Sequence, residues 1–148
     1  MSCSRWAAFS IGLAASLGGL SGCGSSPELG RVTGVLTIDG QPYPGGKLLF
    51  TPVARSESVD AGRAAFGIPD TEGRFELSTF AQGDGALVGE HTVQFLRGAD
   101  DRATRPDLAD LPFRRVTLPS GRVRVEPGEN QLDIGFSIDD LKRYGNRL

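Results

Sequence analysis

The sequence predicts an all-β fold, a two-layer antiparallel sandwich of about seven strands. Three observations predict it. The chain has 148 residues, the size of one small domain. Gly supplies 21 residues and Pro 9, so turns are frequent. From Gly30 onward, short runs that alternate apolar and polar residues are separated by Gly, Pro and Asp clusters. Composition excludes several other classes. With 23% charged and 39% hydrophobic residues, the chain is no disordered polyelectrolyte. A net charge of −2 lacks the basic footprint of a nucleic-acid binder. Two Cys cannot build a disulfide scaffold, and one His cannot furnish a His-based metal cage.

In the first run Val32, Gly34, Leu36 and Ile38 share one face, and Asp39-Gly40 ends it as a tight turn. The second run, residues 47–51, puts Leu48 and Phe50 on one face and stops at Pro52. Residues 63–68 form a weak third strand, and residues 69–73 form a turn. Phe75, Leu77 and Thr79 line a fourth strand. A Gly-rich connection over 82–89 leads to a fifth strand, residues 90–97, with His91, Val93 and Phe95 facing inward. Residues 98–112 read as a long loop dense in Asp and Arg. A strand follows over 122–126, then a turn over 127–130. In the last strand Leu132, Ile134, Phe136 and Ile138 alternate with polar or small residues. The tail, residues 139–148, is polar and reads as a frayed helical turn. Phe50, Phe75, Phe95 and Phe136 are expected to dominate the core.

The first 22 residues read as an address. One Arg precedes Trp6, and residues 6–20 carry no charge. Such an apolar stretch is short for a spanning helix, which needs roughly 20 residues. Leu20, Ser21, Gly22 and Cys23 then resemble a bacterial lipobox, in which a lipoprotein signal peptidase cuts before the Cys. The resemblance implies removal of residues 1–22 and a diacylglycerol thioether on Cys23, with membrane lipid as its partner. Two or more acyl chains make such an anchor persistent. Gly24 follows the Cys, where an Asp commonly retains such proteins at an inner membrane, so outer-membrane or surface placement is favoured. Residues 23–29 then form the lipidated Cys and a tether that reaches at most about 20 Å. Cys3 leaves with the signal, so the sandwich over 30–138 is held without a disulfide.

Four ordered segments resemble the transthyretin-like (prealbumin-like), carboxypeptidase-regulatory-like Greek-key sandwiches of many bacterial surface lipoproteins. They are Val32 to Pro42 with its Asp-Gly-x-Pro turn, Gly45 to Pro52, Asp70 to Leu77 with its Asp-x-x-Gly-x-Phe pattern, and Gly83 to Val93. The ending Val125 to Asn130 also fits. His91 departs from the resemblance, since the family more often has Tyr there. The Arg/Asp-rich stretch from Gly98 to Arg115 departs as well. The resemblance implies a sandwich and an envelope location but no single activity.

Catalytic equipment is sparse. His91 is the only imidazole, and it reads as a structural inward-facing residue. No Gly-x-Ser-x-Gly elbow is present, and neither Lys has a Ser three positions before it. Some transthyretin-like proteins hydrolyse a purine-derived ring with several His and a Tyr-Arg-Gly-Ser ending. A sole His and the ending Tyr144-Gly145-Asn146-Arg147-Leu148 speak against that. Asp70, Glu72 and Gly73 lack EF-hand spacing and read as a solvated turn. Asp100, Asp101, Asp107 and Asp110 lie among Arg97, Arg102 and Arg105, so ion pairing among them is simpler than cation binding. Arg114, Arg115, Arg122 and Arg124 read as a solvated strand face.

These readings lead to a non-enzymatic, membrane-anchored envelope lipoprotein, a structural or protein-interaction module that needs no cofactor. An envelope protein is its expected partner. Arg97, Asp100, Asp101, Arg102, Arg105 and Asp107 form the candidate interaction loop, since long loops in compact domains are often functional. The rival reading is a ligand-binding module for cell-wall glycan or a metal ion.

Overall fold

The computed structural model describes residues 26–54, 61–98, 105–111 and 114–146. The signal, Cys23 and part of the 98–112 loop lie outside them. The described residues form the all-β sandwich, with two sheets and one short helix. Its strands are β1 (Leu29–Ile38), β2 (Gln41–Pro42), β3 (Lys47–Pro52), β4 (Ala65–Gly67), β5 (Arg74–Glu76), β6 (Ala86–Leu87), β7 (Gly89–Leu96), β8 (Arg115–Val125), β9 (Gly128–Gln131), β10 (Ile134–Phe136) and β11 (Gly145–Asn146). Helix α1 spans Ile138–Tyr144, and a 3-10 turn covers Pro106–Leu108.

In one sheet β1 is the hub and pairs with β2, β5, β6, β9 and β10. The other sheet runs β11-β8-β7-β3-β4. An isolated bridge between Phe66 and Ser78 links β4 to the chain after β5 and ties the sheets along one side. The pleat of β1 buries Val32, Gly34, Leu36 and Ile38, the face that alternation predicts. Asp39 and Gly40 both have positive φ, 50° and 73°. They join β1 to β2 as a two-residue hairpin whose twist matches its strands.

The four predicted Phe residues are buried and meet between the layers. The Phe50 and Phe75 centroids are 6.3 Å apart. Those of Phe95 and Phe136 are 6.1 Å apart. Tyr43 packs edge-on against Phe95 at 5.3 Å, closing one end of the core.

Three local readings are corrected. Residues 127–130 are not simply a turn, because Gly128–Gln131 is a strand. The predicted last strand, Leu132 to Ile138, is shortened to β10, with Ile138 opening α1, and β10 and the preceding β9 both run parallel to β1. Leu132 and Asp133 bulge between them: Leu132 N–H donates to Thr33 O at 2.9 Å, and Val35 N–H donates to the Asp133 carboxylate at 3.0 Å. Gly34 makes room for the bulge, since a Cβ there would fall 2.1 Å from the Leu132 carbonyl oxygen. The strand read as 122–126 extends back to Arg115. Against β7 its register jumps from Thr92↔Arg122 to Gln94↔Thr117, so residues 118–121 have no partner on β7, although Leu118 still reaches the core. Pro119 has no N–H for the ladder, and Gly121 adopts φ +91°.

The tail is ordered further than alternation suggested. Ser137 caps α1 by accepting from Asp140 N–H at 3.0 Å, and the Asp140 carboxylate accepts from Ser137 N–H at 2.9 Å. This is a reciprocal capping box, and Leu141 anchors the helix in the core.

Candidate functional site

The predicted interaction loop is only partly within the described residues. Asp100, Asp101 and Arg102 lie outside them, as do Leu20, Ser21, Gly22 and Cys23. Arg97 leaves the end of β7 and donates to the carbonyl oxygens of Leu111 and Leu108, both at 2.9 Å. It thereby staples the 3-10 turn, whose Leu108 is fully buried. Arg105 and Asp107 form a two-point ion pair, with hydrogen bonds of 2.8 and 2.7 Å. Hydrogen bonding to Arg105 holds the Asp107 carboxyl below the ordinary range. Arg97 and Arg105 thus both bind within the segment itself.

The strand-face cations behave similarly. Arg122 pairs with Glu90 at 3.0 Å and Arg124 with Glu126 at 2.6 Å. Asp70 accepts from the N–H groups of Glu72 and Arg74, each at 2.9 Å, and pairs with the Arg74 guanidinium. This is a self-contained turn. Among the described residues no group of three or more His, Cys, Asp and Glu side chains could hold a metal ion.

His91 faces inward from β7 and is fully buried. Its Nδ1–H donates to the Gly89 carbonyl oxygen at 3.2 Å, which assigns that tautomer and leaves Nε2 with a free lone pair. Nε2 has no hydrogen-bond partner among the described residues. The Phe50 ring lies 6.3 Å away. Burial lowers the His91 pKa, with the Gly89 carbonyl opposing more weakly. The only imidazole is therefore a neutral core group.

Two surface concavities flank the start of β1. One, of about 340 Å³, lies where the chain enters the fold, between Pro27, Glu28, Val53 and Val88, with His91 beneath it. Val88 N–H donates to Glu28 O at 3.0 Å, the first hydrogen bond of the entering chain. The other, of about 570 Å³, runs along the β4 edge and is lined by Arg63, Phe66, Ile68 and Phe80. Three large apolar side chains are exposed there: Phe66 by 40%, Ile68 by 60% and Phe80 by 54%. The Arg63 guanidinium lies 5.7 Å from the Phe80 ring centroid. The Lys47 ammonium lies 5.3 Å from that of Phe66.

Asp84 fixes Phe80 in place. Its carboxylate accepts from the N–H groups of Thr79 at 2.7 Å, Phe80 at 2.9 Å and Ala81 at 2.8 Å. Burial opposes ionisation of Asp84, yet these N–H groups together outweigh it and hold the pKa below its ordinary value. Sequence reading missed this groove. Phe66 and Phe80 were signals in plain view, but their neighbours Lys47 and Arg63 are remote in sequence.

No protein-family model matches the chain, and no curated protein matches it. Several solved structures are similar. A DUF3823 family protein from Parabacteroides merdae ATCC 43184 is 11% identical with a TM-score of 0.44, over 74% of this chain and 46% of its own. (S)-Allantoin synthase is 16% identical with a TM-score of 0.50, over 76% of this chain and 41% of its own. The chain spans less than half the length of either structure. At these identities the likeness is one of fold, a β-sandwich domain.

Proposed function

We propose that the chain is a membrane-anchored envelope lipoprotein of the transthyretin-like kind, with a non-enzymatic sandwich that acts as a structural or protein-interaction module. The observation that carries the reading is Leu20-Ser21-Gly22-Cys23, placed directly after an uncharged stretch and six positions before β1 begins at Leu29. A protein cut and acylated at Cys23 keeps a tether of at most about 20 Å, which holds the domain near the headgroups. Gly24 after the Cys favours outer-membrane or surface placement. His91 borders the concavity at the chain entry but has no accessible surface, which supports a non-catalytic role, because a general base must reach a substrate proton. The test is mass spectrometry of membrane fractions from cells expressing the full chain. An N-terminal Cys23 bearing diacylglycerol is expected, and Cys23→Ser is expected to abolish both processing and membrane partitioning. A Cys23→Ser protein that matures and partitions unchanged refutes the reading.

A further inference from the structure

We propose that the β4 edge, with Phe66, Ile68 and Phe80 between Arg63 and Lys47, is the face the domain lays on a bilayer with anionic headgroups. This rests on the anchored reading above. Three observations place that face against lipid.

First, the edge starts where the tether ends. Leu29 pairs with Leu87, and a Cβ on Gly62 would fall 2.5 Å from Leu87 Cδ1, so Arg63 stands beside the tether exit. Phe80 is at the same end, because the preceding Thr79 hydroxyl donates to Gly85 O at 2.6 Å, and Gly85 backs onto Gly30. From Arg63 to Ile68 the edge runs about 17 Å at roughly 3.3 Å per residue. A tether of at most about 20 Å keeps this edge within reach of the headgroups.

Second, the two cations have no carboxylate partner among the described residues. Arg31, Arg74, Arg105, Arg122 and Arg124 each pair with carboxylates. Among the described residues Arg63 and Lys47 meet none and lie over aromatic rings instead. On a chain of net charge −2, two cations bracketing an apolar strip complement an anionic surface.

Third, the apolar side chains are held outward. Phe66 N–H donates to Ser78 O at 2.9 Å, and Asp84 holds the backbone at Phe80, so neither ring can fold inward without breaking hydrogen bonds. Rings and aliphatic groups beside basic residues match the interfacial zone of a bilayer.

The test uses the acylated full chain in vesicles of phosphatidylcholine with or without phosphatidylglycerol. A nitroxide is placed by Ile68→Cys or Phe80→Cys, with Ser120→Cys on β8, separated from β4 by β3 and β7 in the same sheet, as reference. Intact mass of each sample reports acylation separately. On anionic vesicles the labels at 68 and 80 are expected to lose at least about threefold in accessibility to a water-soluble nickel relaxant relative to 120. The double variant Arg63→Glu, Lys47→Glu is expected to remove that protection while acylation and vesicle partitioning persist. Equal accessibility at 80 and 120 in acylated protein overturns this proposal alone. Protection in native membranes but not in lipid vesicles overturns it too, because a protein then covers the edge. An unacylated mass in the membrane fraction refutes the anchored reading, and this proposal with it.

Discussion

Mild acid should weaken the fold through His91. The ring is fully buried, it spends Nδ1–H on Gly89, and it has no acceptor for a second N–H among the described residues. Protonation would leave a charged, unpaired donor against Phe50, so burial depresses the native pKa. A depressed pKa means that the unfolded chain binds the proton first. Stability is therefore full above the unfolded value of about 6.5 and falls as pH drops from there through the native pKa. While the native ring stays neutral, the loss approaches about 1.4 kcal/mol per pH unit, or at most about 2 kcal/mol between pH 7 and 5. No other side chain of ordinary pKa titrates in that window, since His91 is the only His. The assay is urea unfolding at pH 7, 6 and 5, followed by circular dichroism because the only Trp lies in the predicted signal. His91→Gln, neutral at every pH, should flatten the profile across the same range. A wild-type loss equal to that of His91→Gln, or a gain of stability on acidification, refutes the reasoning.

Three further outcomes follow from named contacts. Gly34→Ala should cost about 2–3 kcal/mol in urea melts, because its Cβ would meet the Leu132 carbonyl oxygen at 2.1 Å and a Phe75 ring atom at 2.9 Å. Asp84→Ala removes the acceptor of three N–H groups and should cost about 2 kcal/mol, with faster amide exchange over residues 79–84. Arg97→Ala frees the carbonyls of Leu108 and Leu111 and should cost about 2 kcal/mol, with protease nicking confined to the adjoining loop. Lysine at 97 should recover little of this, because one ammonium replaces a two-pronged guanidinium.

Legibility in the sequence followed range of interaction. Alternation depends on near neighbours, so β1, β3 and β7 were read within one or two residues, with the four Phe residues correctly turned inward. The Asp39-Gly40 turn was legible for the same reason. Alternation is silent on partner and direction. Leu132 to Ile138 looks like one continuous strand, but Gly34, about a hundred positions away, admits the bulge at Leu132 and Asp133, and only Ile134 to Phe136 of the stretch is strand. The stretch before Arg122 was missed because Pro119 and Gly121 look like a turn, and the ladder resumes on their far side. His91 was legible as an inward residue because Val93 and Phe95 follow it at period two. Its unpartnered Nε2 was not, since that depends on what Phe50 and Pro52 bring across from β3. The β4 groove is the extreme case: Lys47, Arg63, Phe66 and Phe80 come together only when β3 and β4 pair and Ser78 bridges to Phe66.

The placement of the proposed anchor also bears on how the domain resists load. Force from the membrane would enter at Leu29, the first residue of β1, which is the hub of its sheet. β9 and β10 run parallel to β1, and their ladders hold Gly30 to Thr33 and Leu36 to Ile38. A pull on the start of β1 along its own axis strains these ladders in shear, so many hydrogen bonds must fail together. A tether on α1 or β11 would instead peel a short element, because β11 pairs at only two positions. Forced unfolding is governed by the unfolding barrier rather than by equilibrium stability. Gly34 sits between the two parallel ladders, where the Leu132 carbonyl crosses over it. A methyl group there would push β9 and β10 off β1 together. Gly34→Ala should therefore lower the rupture force of a chain pulled from its N-terminus by more than Arg97→Ala does at matched equilibrium loss. Equal rupture forces for the two variants would show that the parallel ladders carry no special share of the load.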